Sequence, residues 1–347
     1  MKKTKFEFKK MKKVKFAVCG FGHIGKRHAT IVGGYDNAEI VAIIDINTEV
    51  TNHELYPTRI PFFSSLNDFV SAGIDADVVT IAAPNGNHVE LGNMALDAGY
   101  HVIIEKPMGL SRLQCETMLF KALKLHKHVF VVKQNRYSPP SKWLKEVVEK
   151  GVIGNIFMVQ VNCYWNRDDR YYKPGGWKGS KDLDGGVLYT QFSHFIDIMF
   201  WVFGDITNIK TNLKNFNHQH NTEFHDSGNT IFEFINGGLG SINFSTSVWD
   251  TNMESSITVV GSKGSFKIGG QYMNEVEYCN IENYTMPDLP PTNPPNDYGP
   301  FKGSAANHHY VIENVVNTLN GNDTITANAL EGLKVVDIIE RIYQAAE

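Results

Sequence analysis

Apolar residues follow two different rhythms along this chain, and the change between them divides it. Near the start, Lys15-Phe16-Ala17-Val18-Cys19 is a short apolar run of the kind that forms a buried strand, and Ile24, Ile31 and Val32 then recur on helical spacing. Ile40-Val41-Ala42-Ile43-Ile44 predicts a second strand, closed by Asp45. The alternation continues with a strand from Asp77 to Ala83, a helix from about His88 to Ala98 and a strand at Val102-Ile103-Ile104. A helix from Ser111 to His126, with Ser111 as N-cap, leads into a strand at Val129 to Val132. Strands alternating with helices imply parallel pairing through right-handed crossovers, so residues 13–135 are expected to form a doubly wound α/β domain.

After a helix from Ser141 to Glu149 the rhythm changes to period two. Ile156 to Val161 opens a series of longer, more polar strands. Thr230 to Ile235, Asn236-Gly237 and Leu239 to Phe244 predict a β-hairpin on a type I′ turn, and Ile257 to Val260 with Ser265 to Ile268 predicts another. Residues 136–347 are therefore expected to form an α+β domain around a large open, mostly antiparallel sheet. One face of that sheet needs a cover, which makes a homo-oligomer, a dimer or tetramer formed through it, the expected assembly. Tyr284 to Pro300, rich in proline and asparagine, is expected to be a long loop, and Ala306 to Ala345 returns to helical spacing. Residues 1–12, basic and without an apolar stretch, are expected to be a flexible arm rather than a signal peptide.

The glycine run between the first strand and its helix adds chemistry. In Gly20-Phe21-Gly22-His23-Ile24-Gly25, the first glycine allows the tight turn, the second lets backbone N–H groups reach a pyrophosphate, and the third lets helix pack close to strand. The phosphates would sit at the positive end of the helix. Asp45 is placed to accept hydrogen bonds from the adenosine ribose and to repel a 2′-phosphate, so NAD is the expected cofactor rather than NADP. A chance turn with a strand-end acid is the plainer alternative, and the correct order of strand, motif, helix, strand and acid argues against it.

Composition narrows the partners. The 347 residues suit two domains, 42% are hydrophobic, and the formal charge of −4 carries no basic stripe outside the N-terminus. Neither nucleic acid nor a membrane is an expected partner. Cys19, Cys115, Cys163 and Cys279 lie far apart without CxxC spacing, which suits reduced thiols in the cytoplasm. His308, His309 and Cys279 lack metal-ligand spacing, so no metal is expected, and Asp168-Asp169 suits a solvated loop.

Three further segments carry a family resemblance: Ala83-Pro84-Asn85-Gly86-Asn87-His88, Glu105-Lys106-Pro107, and Gly185-Gly186 through His194 to Asp197. With the glycine run they resemble the glucose–fructose oxidoreductase and inositol dehydrogenase family, Gfo/Idh/MocA, over nearly the whole chain from Val14. Gln134-Asn135-Arg136-Tyr137-Ser138-Pro139, Gly175-Gly176-Trp177-Lys178-Gly179-Ser180 and Leu183-Asp184-Gly185-Gly186 are similar to the branch acting on UDP-linked amino sugar uronates. The resemblance implies NAD-dependent oxidation of a sugar hydroxyl, at C3 of a nucleotide-linked N-acetylated uronate in that branch. The product would be a 3-keto sugar for surface-polysaccharide, O-antigen type, synthesis. Some relatives hold NADH tightly enough to need reoxidation in place by a 2-oxo acid. An inositol or other free-sugar dehydrogenase, or a non-catalytic NAD-binding regulatory protein, remains the alternative.

The resemblance also assigns residues. Lys106, at the carboxyl end of a parallel strand, is the expected proton acceptor, provided its pKa falls toward working pH, and a solvated lysine steadied by Glu105 is the alternative. His194 is expected to share the proton or orient the hydroxyl, against the alternative of a core histidine. Thr190 stands where many members carry Asp or Asn, which puts the orienting role there in question. Ala83, Pro84, Asn85, His88, Glu105 and Gln134 are expected on the nicotinamide side, with a simple N-cap as the alternative for Asn85. Asn135 and Arg136 are candidates for the sugar carboxylate or diphosphate, with a domain-seam salt bridge as the alternative for Arg136. Tyr164, Tyr172, Trp177, Lys178, Thr190 and Gln191 are candidates for the nucleotide-sugar pocket, with plain packing as the alternative for the aromatics.

Overall fold

The computed structural model describes residues 11–346. The expected flexible arm, residues 1–12, falls for its first ten residues outside them, and Lys12 is already tied down, its N–H donating to Asn320 Oδ1 at 2.7 Å.

The first sheet is built from β1 (Val14–Cys19), β2 (Ala38–Ile44), β3 (Phe62–Phe63), β4 (Val78–Ile81), β5 (His101–Ile104) and β6 (Val129–Val131). Its strands run in the order β3-β2-β1-β4-β5-β6 and all its pairings are parallel. The buried strand positions are apolar apart from Thr80 in β4, as a sheet covered on both faces requires. Helices α1 (His23–Gly33), α2 (Leu66–Ser71), α3 (His88–Asp97) and α4 (Arg112–Lys124) supply the crossovers. The connection reverses direction between β1 and β4, and a cleft opens there at the carboxyl ends of the strands.

Helix α5 (Pro139–Glu149) begins two residues before its expected start, because Pro139 and Pro140 preset the first helical turn. It leads into β7 (Ile156–Tyr164), followed by the short α6 (Val187–Thr190) and α7 (Ser193–Phe203). Strands β8 (Ile206–Lys214), β9 (Ser227–Phe234), β10 (Leu239–Ser245), β11 (Glu254–Gly261), β12 (Gly264–Gly269) and β13 (Glu275–Ile281) complete a second sheet in the order β13-β12-β11-β7-β10-β9-β8. All its pairings are antiparallel except β7 with β10. Val159, Val161 and Cys163 of β7 pack inward beneath α7, which is buried along nearly its whole length.

The β9–β10 turn differs from the expected type I′. Ile235 and Asn236 are not left-handed, whereas Gly237 has φ +97°, and Gly237 N–H donates to Phe234 O at 2.9 Å. The four residues Ile235 to Gly238 join the strands, and Gly237 and Gly238, not the asparagine, take the positive-φ positions.

The expected loop after Tyr284 contains β14 (Pro295–Asp297), which pairs with β15 (Lys302–Ala305). The chain then returns to the first domain. In α8 (His308–Leu319), Val311, Ile312, Val315 and Val316 join Val14, Phe16, Ala29 and Val32 in one buried cluster. The final helix, α9 (Ala329–Gln344), opens with an Asn328–Glu331 capping box and lies between α4 and α7. The two sheets are thereby clamped together around the cleft.

Candidate active site

A cavity of about 820 Å³ occupies the cleft, walled by both domains. At one end Gly20, Gly22, His23 and Ile24 line it. Helix α1 opens there with no side-chain cap and no acid in its first turn, so its N–H groups and positive pole face the cavity unneutralised. Gly25 is the packing glycine: a Cβ on it would lie 1.8 Å from the Gly20 carbonyl oxygen. Phe21 does not line the cavity. Its ring is buried against Tyr56, and its N–H donates to Asp45 Oδ2 at 2.6 Å.

Asp45 Oδ1 accepts a second bond, from Asn47 N–H at 2.8 Å, and the carboxylate borders the cavity. Ser64 to Asn67 and Leu91 and Met94 form a wall that the sequence pattern did not indicate. An anion-attracting helix end, a carboxylate at the second strand and an apolar slot beyond it fit the pyrophosphate, ribose and adenine of NAD in that order.

At the other end, β5 delivers Glu105 and Lys106, and the Lys106–Pro107 peptide is cis. Glu105 Oε1 meets His28 Nε2 at 2.7 Å, and Oε2 accepts from Lys106 N–H at 3.2 Å. Burial works to raise the Glu105 carboxyl, but the His28 hydrogen bond and the positive neighbours outweigh it and bring it down to about 2. The Lys106 ammonium donates to Thr190 O at 2.7 Å. Burial lowers its pKa to about 8, against the opposing pull of Glu105, which is the range a general base needs.

His194, in the first turn of α7, borders the same cavity. Burial and the charges of Lys106 and Lys133 hold it well below the ordinary histidine range, so it is neutral at pH 7. The Gln134 amide lies 3.4 Å from its Nε2, while its Nδ1 is buried without a partner. Ala83, Pro84, Asn85, His88 and Gln134 all line this end. Asn85 is not a side-chain N-cap: its amide reaches across to Thr190 Oγ1 at 2.7 Å and Asp184 O at 2.9 Å. His88 ties two loops, its ring nitrogens 2.7 Å from Pro107 O and 2.9 Å from Ala83 O.

Trp177, Lys178, Thr190 and Gln191 line the far wall. Lys178 Nζ stands 3.8 Å from the centre of the Tyr171 ring, and burial brings its pKa down to about 8. Beside it is Arg167, which sequence reasoning missed. The residue is 4% exposed, and its guanidinium lies 4.9, 5.2 and 5.0 Å from the centres of Trp165, Tyr171 and Phe301. Its partners are neutral oxygens, Asn252 Oδ1 and Lys302 O at 3.1 Å each, together with Asn166 O, and its Nε has no partner. A buried cation without a carboxylate, open to a cavity, suits an anionic ligand.

Four candidates lie elsewhere. Arg136 forms a buried bidentate pair with Asp197, at 2.8 and 2.7 Å, and also pairs with Glu331, so its fork is consumed by the domain seam. Asn135 donates to Ser304 Oγ at 3.1 Å, behind the cavity wall. Tyr164 shares the outer face of the sheet with Met158 and Gln160. Tyr172 is buried behind Tyr171, edge-on at 4.9 Å, so the cavity aromatic is its neighbour. Among the described residues no cluster of three or more His, Cys, Asp or Glu side chains is placed to hold a metal ion. No helix there is long and apolar enough to cross a membrane.

A glycine turn at the switch point of a parallel sheet, with a lysine and an imidazole converging from separate domains, defines a dinucleotide-dependent oxidoreductase. Residues 14–133 match the oxidoreductase family with an NAD-binding Rossmann fold, and residues 142–267 match the GFO/IDH/MocA C-terminal domain. The chain belongs to the GFO/IDH/MocA family and is an NAD-dependent sugar oxidoreductase. The WlbA dehydrogenase from Bordetella pertussis, solved with NADH and UDP-GlcNAcA, is 30% identical with a TM-score of 0.85, covering 96% of this chain and 97% of that one. The WlbA enzyme from Chromobacterium violaceum, in complex with the same two ligands, is also 30% identical, with a TM-score of 0.86 and coverage of 96% and 94%. The 2,7-anhydro-N-acetylneuraminate hydratase of Escherichia coli is 28% identical over 74% of this chain and 68% of its own length.

Proposed function

We propose that this enzyme oxidises the C3 hydroxyl of a UDP-linked N-acetylated amino sugar uronate to the 3-keto sugar. The observation that carries the reading is Arg167, a buried cation with no acid partner, set with Lys178 in the wall that also presents Lys106 and His194. A uronate carboxylate or diphosphate supplies the missing negative charge, whereas an uncharged polyol leaves Arg167 buried and unpaired. The WlbA dehydrogenases solved with UDP-GlcNAcA support the same substrate class.

NAD bound along the glycine turn would accept the hydride. The proton goes to Lys106, whose hydrogen bond to Thr190 O uses one N–H and leaves the lone pair of the neutral amine free to accept it. His194, neutral and bordering the same cavity, orients the reacting hydroxyl. The keto product suits a following transamination in surface-polysaccharide synthesis, and widely separated, mostly buried thiols suit the cytoplasm.

Assembly through the second sheet belongs to the same reading. Met158 pairs with Leu239 and Val260 on the outer face, with Ile231 one strand further, and these side chains are from 37 to 55% exposed. An apolar strip of this kind fits a sheet-to-sheet dimer or tetramer.

The test is NADH formation with NAD and UDP-N-acetylglucosaminuronate, with and without a 2-oxo acid, beside inositol and free sugars. Turnover confined to the nucleotide uronate is expected. Faster turnover of an unconjugated polyol would replace the reading with a free-sugar dehydrogenase, and NAD binding without turnover of any of them would make the protein a cofactor-binding regulator.

A further inference from the structure

The hydroxyl of Thr190 carries one hydrogen and two lone pairs. Asn85 Nδ2 donates to it at 2.7 Å, so its own hydrogen goes to the Asp184 carboxylate, whose Oδ1 is in hydrogen-bond contact. The other carboxylate oxygen accepts from Gly179 N–H at 2.9 Å. Asp184 is 0% exposed, and these contacts are a hydroxyl and a backbone N–H rather than a cation. A carboxylate buried in this way costs stability. It stands behind the residue whose carbonyl receives the Lys106 ammonium.

We infer that Asp184 is a positioning residue for the oxidation: through the Thr190 hydroxyl it fixes the Thr190 carbonyl against Lys106 Nζ, and its charge favours the ammonium that Lys106 becomes on accepting the substrate proton. The inference rests on the reading of Lys106 as the base. The hydroxyl proton moves to Lys106, the hydride leaves the same carbon for NAD, and Asp184 gains and loses nothing.

The electrostatic surroundings agree. Burial raises the Asp184 carboxyl to about 6, opposed by the hydrogen bonds from Thr190 and Gly179 and the charge of Lys178, so the group is ionised where Lys106 works. Lys106 is faced by Glu105 and Asp184, which favour its charged form, and by Lys133 and Arg167, which disfavour it. Lys178 and His194 also feel its charge, and Tyr171, Tyr172 and Tyr343 stand around Asp184.

The experiment titrates Lys106 directly, by the ¹³C shift of its Cε in lysine-labelled, NADH-loaded protein, with the resonance assigned by its loss in Lys106→Arg. Asp184→Asn is expected to lower the Lys106 midpoint by about one pH unit, since an opposite charge nearby is worth roughly that much or more. The acid limb of kcat should move with it while KM stays. An unchanged midpoint in folded Asp184→Asn overturns the inference. Where that variant does not fold, the unaltered protein decides: the Lys106 curve should show a second inflection as Asp184 titrates, and a single-step curve overturns the inference. Neither titration of Lys106 needs a substrate, so lack of turnover with the nucleotide uronate would remove the substrate assignment without touching this one.

Discussion

The Lys106 ammonium donates a 2.7 Å hydrogen bond to the carbonyl oxygen of Thr190, joining the residues just past β5 to the segment that leads into His194. The lysine belongs to the cofactor domain and its acceptor to the substrate domain. Contact between the two domains therefore completes the site.

The pH dependence of the reaction follows from that contact. Lys106 acts as a base only when neutral, and its pKa is lowered to about 8, first by burial. Oxidation should rise with pH and level off above about pH 8, with one proton lost along that limb. Lys106→Met should reduce kcat by about 10²- to 10⁴-fold and leave NADH binding unchanged, measured by quenching of protein fluorescence. A profile flat from about pH 6 to pH 9.5 would remove Lys106 from the chemistry.

Arg136 and Asp197 set stability rather than affinity. Both side chains are 1% exposed, and Lys133 Nζ lies 3.3 Å from the same carboxylate. Asp197→Ala strands the buried Lys133 ammonium and leaves Arg136 with Glu331 as its one acid partner, which should cost about 3–5 kcal/mol of unfolding free energy in urea titrations. A loss below about 1 kcal/mol would mean that solvent reaches the seam and pairs with those charges.

The contrast between Arg136 and Lys106 shows what the sequence could disclose. The glycine turn, Asp45 and Glu105-Lys106-Pro107 are local: their meaning depends on a strand and a helix next to them in the chain, and both could be read from apolar spacing. The fate of Arg136 depends on Asp197 and Glu331, which folding alone brings near it. Arg167 lies in a polar stretch beside Asp168-Asp169 that reads as a solvated loop, and only Trp165, Tyr171 and Phe301, gathered from two segments, make it a buried cation. Tyr171 and Tyr172 are adjacent, yet one lines the cavity and the other packs behind it. The parallel β7–β10 pairing was likewise hidden, because strand periodicity gives a strand's faces but not its distant neighbour.

Arg167 should trade stability against affinity. Arg167→Met keeps the aromatic packing and removes a desolvated charge, so the ligand-free protein should be equally or more resistant to heat. The KM for the nucleotide uronate should rise about 10- to 100-fold, the worth of one or two charge-assisted hydrogen bonds. An unchanged KM would place the anionic group elsewhere in the cavity.

Gly86 offers a way to separate the two domains without touching a reacting group. Its N–H donates to Leu183 O at 3.0 Å, and a Cβ there would lie 2.1 Å from the Asp182 carbonyl oxygen and 3.2 Å from the Leu183 Cα. Both obstacles are backbone, so a side chain must push the 182–184 segment away from the loop that carries Asn85. Asn85 would then lose Thr190 and Asp184 together, while the glycine turn and Asp45 stay in place. Gly86→Ala should therefore lower kcat/KM by about 100-fold, as a displacement near 1 Å does, and shift the NADH dissociation constant by less than about twofold. Equal losses in both quantities would mean that the loop after β4 supports the cofactor itself, and the division of labour between the domains would have to be redrawn.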